Sequence, residues 1–320
     1  MTRSARAFWF KSPGECEIRA AALPARGAED VLVRTLFSGV SRGTETLVFS
    51  GGVPESQYTV MRAPFQEGEF PGPVKYGYLN VGVVEEGPLL GRTVFCLYPH
   101  QTRYVVPADA VTLVPGTVPP GRAILAGTVE TAVNALWDAA PLVGDRIAVL
   151  GAGMIGCSAA AILAKIPGVR LELADPDPSR AAVAEALGVG FTSPERARGD
   201  CDLVIHASAS EAGLARSLDL LAPEGQVIEL SWYGDRRISV PLGENFHSRR
   251  LSIRASQVGT VSPARRRSYG ERLALALDLL ADPAFDALIT GESAFDELPA
   301  VLPRLAGGQL PALCHRITYS

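Results

Sequence analysis

The sequence predicts an α/β protein in which a β-rich first part precedes a doubly wound parallel sheet. Three observations predict it. Short strand-like segments broken by Gly and Pro occupy the chain before about residue 128. From Asp145 onward, apolar runs alternate with alanine-rich stretches, the pattern of βαβ units. A glycine-rich turn separates the first of those runs from its helix.

In the first part, Val31 to Phe37, Val81 to Glu86, Thr93 to Leu97 and Arg103 to Val106 read as strands because β-branched and aromatic residues dominate them. In the second, strands are expected at Arg146 to Leu150, Val169 to Ala174, Asp202 to Ala207, Gln226 to Leu230 and Leu251 to Ala255. Helices are expected near Met154 to Ile166, Ser179 to Leu187 and Ala212 to Leu221. Arg265 to Leu280 reads as an amphipathic helix with Arg265, Arg266 and Arg267 in its first turn, a solvated face rather than a phosphate patch.

Composition narrows the function classes. Thirty basic and 34 acidic residues leave a formal charge of −4, which argues against nucleic acid as a partner. The 320 residues are enough for about two domains. Five cysteines, Cys16, Cys96, Cys157, Cys201 and Cys314, are widely spaced with no CxxC pair, as expected of free thiols. The apolar cluster Ala7 to Phe10 is too short for a signal-peptide core, and no apolar run reaches the roughly 18 residues that span a bilayer. A soluble cytoplasmic protein with a small-molecule substrate and no membrane partner is the expectation.

The run Arg146 to Leu150 is followed by Gly151-Ala152-Gly153-Met154-Ile155-Gly156 and then a helix, the context a dinucleotide fingerprint requires. The first glycine permits the turn, the second admits the pyrophosphate, and the third lets helix pack on strand, while the helix N-terminus offers N–H groups from Met154 and Ile155. Nineteen residues after Gly156 stands Asp175, placed to accept both ribose hydroxyls of NAD and to repel a 2′-phosphate. Arg180 either lies against the adenosine or, turned toward the ribose, would admit NADP; NAD is the expected cofactor.

The order of parts resembles the medium-chain dehydrogenase/reductase superfamily. The likeness rests on Ser38-Gly39-Val40-Ser41-Arg42-Gly43-Thr44-Glu45, Gly77-Tyr78-Leu79-Asn80-Val81-Gly82-Val83-Val84, Thr128-Val129-Glu130-Thr131-Ala132 and the glycine loop. It implies a GroES-like β domain over 1–128, a Rossmann domain over 129–260, a return to the first domain over 261–320, and a homodimer. Zinc-using members carry ligands where this chain has Ser41, Tyr78 and, near the third position, Gly127. None is a good zinc ligand, and the structural-zinc lobe is also missing, so no metal is expected. Within the superfamily, the Ser38 to Glu45 stretch looks like that of the bacteriochlorophyllide dehydrogenases.

Without zinc, hydride transfer to a carbonyl needs another way to stabilise the developing alkoxide. Candidate catalytic groups are Tyr78, His100, Glu130, Thr44 and Glu45. Tyr78 either donates a proton or simply fills the vacated metal cavity. His100 either borders the substrate pocket or is a surface histidine. Glu130 either binds a substrate hydroxyl or pairs with Arg42. The resemblance implies that Arg42 contacts the pyrophosphate and that Thr131, Leu230 and Trp232 lie near the nicotinamide. Ser208 joins them at the carboxyl edge of the sheet. Trp232 and Tyr233 wall a substrate site or fill an interface. His206 at the same edge reads as structural, and Phe246-His247-Ser248-Arg249-Arg250 would suit an anionic group or solvent. The leading expectation is a zinc-independent, NAD-linked oxidoreductase acting on a secondary alcohol or ketone. An enone or quinone reductase and a catalytically inactive nucleotide-binding protein are the alternatives.

Overall fold

A computed structural model describes residues 4–262 and 265–320. The chain divides into two compact units. One comprises the residues through Gly127 with Leu273–Ala281 and Ile289–Ser320; the other comprises Thr128–Arg272 with Asp282–Leu288.

Among the described residues, the first unit holds two sheets. Glu15–Ala21, Ala5–Ser12, Val74–Lys75 and Glu67–Gly68 lie side by side in a small sheet. The larger sheet runs in the order Ile289–Ala294, Cys314–Thr318, Asp30–Ser41, Asn80–Glu86, Thr93–Cys96 and Val111–Leu113, with Arg103–Pro107 also paired to Asp30–Ser41. The expected strand Val31 to Phe37 thus continues to Ser41, because antiparallel partners on both sides hold its last residues: Ser38 faces Asn80 and Ile317, and Ser41 faces Cys314. Alternate residues of this strand and its neighbours, Val31, Val33, Val84, Val94 and Tyr104 among them, close the core.

The second unit is a six-stranded parallel sheet ordered Gly190–Thr192, Arg170–Ala174, Arg146–Leu150, Cys201–His206, Leu221–Glu229 and Ser252–Ala255. Numbered within the unit this is 3-2-1-4-5-6, the doubly wound order of dinucleotide-binding sheets. Ala148, Leu150, Val204 and Val227 fill its core with Leu214 and Leu218 of the helix Glu211–Asp219. That helix stops short of the expected Leu221 because Leu221 already pairs with Cys201 in the sheet.

One expectation is corrected. The helix predicted from Arg265 begins at Tyr269, so Arg265, Arg266 and Arg267 lie ahead of it. Ser268 and Glu271 form a reciprocal cap: the Ser268 amide donates to Glu271 Oε2 (2.8 Å) and the Glu271 amide donates to Ser268 Oγ (3.1 Å). This S-x-x-E cap sets the helix start.

Candidate active site

In the first unit, the end of the long strand feeds the helix Arg42–Phe49, and Ser41 is its N-cap. The Ser41 hydroxyl makes no capping bond; Glu45 caps instead, its Oε1 accepting the Ser41 amide at 2.7 Å. The Ser41 and Thr44 hydroxyls are close enough to the phenol of Tyr78 to favour its ionised form. Burial and then the Glu45 charge push that phenol up to about 12, against the two hydroxyls. Its ring meets Tyr76 edge-on at 6.0 Å, and its side chain remains partly accessible.

Glu45 also heads a line of polar groups. Glu45 Oε2 is 2.9 Å from His100 Nε2, His100 Nδ1 is 2.6 Å from Ser38 Oγ, and Ser38 Oγ is 2.8 Å from the Tyr319 phenol. A carboxylate can only accept, so Nε2–H donates to Glu45, and the Ser38 and Tyr319 hydroxyls, each able to donate or accept, complete the line. His100 is buried with both ring nitrogens engaged, so it is not a surface histidine. Gly77 makes room for it: at φ +132° it takes a conformation that favours glycine, and a Cβ there would lie 3.0 Å from the imidazole Cδ2.

In the second unit, the glycine loop follows its strand into the helix Met154–Leu163. Gly151 has φ +107°, and a Cβ on it would come within 2.7 Å of the Ser208 amide. On Gly156 a Cβ would lie 1.9 Å from the Gly151 carbonyl oxygen. Gly153 differs, since its Cβ would meet no protein atom within 4 Å and its φ of −81° suits any residue. Nothing within the fold requires glycine there, whereas a phosphate lying against the helix N-terminus would. Asp175 Oδ2 accepts the Ala152 amide at 2.7 Å and Oδ1 accepts the Asp177 amide at 2.9 Å, which leaves each oxygen a lone pair for a ribose hydroxyl. Arg180 pairs with Asp177 at 3.3 Å. These groups fit a nicotinamide dinucleotide.

At the carboxyl edge of the same sheet, His206 faces Glu229 in parallel register. Its Nδ1 is 2.7 Å from Glu229 Oε2 and its Nε2 2.7 Å from Ser208 Oγ, which also bonds Ser210. Burial opposes ionisation of Glu229, but the His206 imidazole and the Ser231 donors outweigh it and bring its carboxyl below the usual range. Tyr233 donates to Glu229 Oε2, and Ser231 Oγ accepts the Ala209 amide. His206 therefore cross-links the segments carrying Ser208, Leu230 and Trp232, the last two partly buried.

Glu130 is engaged elsewhere. The Arg272 guanidinium holds its carboxylate at 2.9 and 3.0 Å and also reaches Asn134 Oδ1 (2.6 Å) and the Val258 carbonyl (2.6 Å), so Arg272 is a partner of Glu130 that the sequence reading did not name. Arg42 opens its helix and Thr131 lies on the helix Ala126–Ala139, both partly buried. Phe246 packs on the core, His247 is exposed, Arg249 donates to the Leu221 carbonyl and Arg250 pairs with Glu224. Ser38, Cys314 and Tyr319 escaped the sequence reading as site residues. Ser38 stands in the motif that begins with it, but Cys314 and Tyr319 come from the chain's end and carry no local signal.

The whole chain matches solved dehydrogenases. It is similar to an alcohol dehydrogenase from Escherichia coli CFT073 complexed with NADH, at TM-score 0.79 and 16% identity over 98% of this chain and 99% of that one. L-idonate 5-dehydrogenase from Escherichia coli matches at 0.79 and 15% over 99% of each chain. The 2R,3R-butanediol dehydrogenase of Bacillus subtilis matches at 0.78 and 14%, over 98% and 99%. The chain has the fold of these dehydrogenases. No protein-family profile matches it.

The positions where the resemblance would put zinc ligands hold a poor donor set. Ser41 offers a neutral hydroxyl, and Tyr78 a phenol whose proton is held until about pH 12. Gly127 offers no side chain, and a Cβ there would meet Leu79 at 2.7 Å and Leu97 at 3.6 Å. Zinc prefers thiolate, imidazole or carboxylate, so these residues do not fit a catalytic zinc.

Proposed function

We propose that this chain is an NAD-linked oxidoreductase that interconverts a secondary alcohol and a ketone on a small or medium-sized metabolite without catalytic zinc. The observation that carries the reading is Gly153, a glycine with no intramolecular reason to be one, at the start of a helix whose neighbouring strand, Arg170–Ala174, is followed directly by Asp175. The Asp175 carboxylate would bind the ribose hydroxyls and disfavour a 2′-phosphate, while Arg180 is engaged with Asp177.

The bound nicotinamide supplies or accepts the hydride. The chain's own contribution is the proton. Tyr78 is partly accessible, and its ring packs edge-on against Tyr76. Kept protonated by its burial, it can donate to an oxyanion that develops on the substrate. His100, with both nitrogens occupied by Glu45 and Ser38, holds that carboxylate rather than the substrate.

The test begins with a fluorescence titration of EDTA-dialysed protein by NADH and then NADPH, read through Trp9, Trp137 and Trp232. Saturable binding that favours NADH is expected, followed by ketone turnover that Tyr78→Phe abolishes. Tighter NADPH binding would overturn the cofactor assignment, and enone turnover without ketone turnover would overturn the reaction class.

A further inference from the structure

In the second unit, the turn that leaves the strand Cys201–His206 is tied down more heavily than a surface turn needs. Ala209 has φ +53°, a backbone conformation that is costly for any residue with a side chain. Its neighbours hold it there. Ser208 Oγ lies 2.7 Å from His206 Nε2 and 2.8 Å from Ser210 Oγ, the Ala209 amide donates to Ser231 Oγ at 3.0 Å, and the exposed Arg236 donates through Nη2 to the Ala209 carbonyl at 3.0 Å. His206 has no solvent exposure, and its Nδ1–H donates to Glu229 Oε2 at 2.7 Å, because a carboxylate only accepts. The other Glu229 oxygen holds the Ser231 amide at 2.7 Å. One imidazole thus fixes the turn 207–210 on one side and the segment 230–233 on the other.

The turn stands where a dinucleotide would cross the sheet. Strand order reverses between Arg146–Leu150 and Cys201–His206, and dinucleotides lie across the crevice at such a reversal. The Ala207 amide donates to the Leu150 carbonyl at 2.8 Å, and a Cβ on Gly151 would come within 2.7 Å of the Ser208 amide nitrogen, so the turn packs against the glycine loop. Asp175 follows Arg170–Ala174, which lies on the opposite side of Arg146–Leu150 from Cys201–His206. With the adenosine ribose at Asp175 and the pyrophosphate at the helix N-terminus, the remaining half of the ligand extends over the ends of Cys201–His206 and Leu221–Glu229.

We propose that His206 is a positioning residue for the nicotinamide end of the cofactor: through Ser208 and Glu229 it holds the turn 207–210 and the segment 230–233 in one arrangement before the ligand arrives. The inference rests on the assignment of the glycine loop and Asp175 to a dinucleotide. His206 does not touch the ligand. It keeps both segments ordered in the free protein, so that binding does not have to order them. Arg236 serves the same turn from outside, through the Ala209 carbonyl.

The experiment titrates the full chain calorimetrically with NADH and with ADP-ribose, which keeps the adenosine, the pyrophosphate and the second ribose and lacks the nicotinamide. The readout is the ratio of the two dissociation constants, since a general loss of structure weakens both ligands together. His206→Phe keeps a ring in the buried site and removes both of its hydrogen bonds. It is expected to weaken NADH about tenfold while ADP-ribose stays within about twofold, as when the competent arrangement is populated about a tenth of the time. Arg236→Ala, at an exposed position, loosens the same turn without disturbing the core and is expected to weaken NADH selectively by about threefold. Any attraction of the Arg236 charge for the pyrophosphate falls on both ligands equally. Equal losses for the two ligands, or no loss for either, overturn the proposal and leave His206 a structural cross-link; should His206→Phe fail to fold, the ratio in Arg236→Ala decides. Wild-type protein that binds neither ligand overturns the dinucleotide assignment and the proposal with it, whereas wild-type binding of both with an unchanged ratio in the variants overturns the proposal alone.

Discussion

Glu45 Oε2 and His100 Nε2 lie 2.9 Å apart, and both side chains are buried. Removing the imidazole strands a carboxylate that has only the Ser41 amide left to satisfy it. His100→Ala is therefore expected to destabilise the protein by about 3 kcal/mol, as for one partner lost from a buried pair. Tyr319→Phe removes only the outermost hydroxyl of the line and should cost about 1 kcal/mol. Urea denaturation of the two variants checks the order; equal costs would mean that the Glu45 contact is not the dominant one.

Gly153 and Gly156 are expected to respond oppositely to alanine. A Cβ at Gly153 meets no protein atom, so Gly153→Ala should stay within about 1 kcal/mol of wild-type stability while weakening NADH binding by about tenfold or more. At Gly156 the Cβ would lie 1.9 Å from the Gly151 carbonyl oxygen, and Gly156→Ala should destabilise the fold by about 3 kcal/mol or more. Thermal melts and fluorescence titrations on both variants separate the ligand's need for glycine from the fold's.

Asp175→Asn removes the charge that would repel a 2′-phosphate and keeps one of the two acceptors that hold the Ala152 and Asp177 amides. The ratio of NADPH to NADH dissociation constants should fall about tenfold, an effect of about 1.4 kcal/mol. An unchanged ratio would remove Asp175 from cofactor discrimination.

Stability should decline on the alkaline side. Burial raises the thiols of Cys96, Cys157 and Cys314 from an ordinary value of 9.0 to about 12. In each case the folded state holds the proton longer than the unfolded chain does. The stability they contribute is fully present below pH 9 and is lost as pH rises from there toward 12. Urea midpoints measured across that window should fall, and Cys314→Ser should flatten the slope.

At the acid end the sign reverses for Glu229. Its carboxyl is lowered in the fold, so its stabilising effect is present above the usual carboxylate range and is lost as pH falls through the folded value. Glu229→Gln should reduce the acid dependence. The same substitution should speed hydrogen exchange at the Ser231 amide, which Glu229 Oε1 holds at 2.7 Å.

Much of the second unit was legible in the linear chain. The strand Arg146–Leu150, the glycine loop and Asp175 lie within about thirty residues, and their proposed roles rest on local geometry, namely a tight turn, a helix N-terminus and a strand end. Helix ends were less legible. Ser268 and Glu271 start a helix that the apolar periodicity alone extends back to Arg265, because periodicity reports a face while a cap reports an end.

By itself, the sequence determined the α/β class and the position of the glycine loop, which are written in neighbouring residues, while the candidacy of Tyr78 and His100 came from the family resemblance. Only tertiary structure decided what those side chains do. Strand pairing brings Cys314 opposite Ser41 and carries Tyr319 to Ser38, and parallel register sets His206 against Glu229. His100 became a buried, doubly bonded partner of Glu45, and Glu130 became a partner of Arg272, 142 positions away. The physical reason is that hydrogen bonds and charges act over a few ångströms of space, whatever the separation along the chain, so their partners are set by which strands and helices come together.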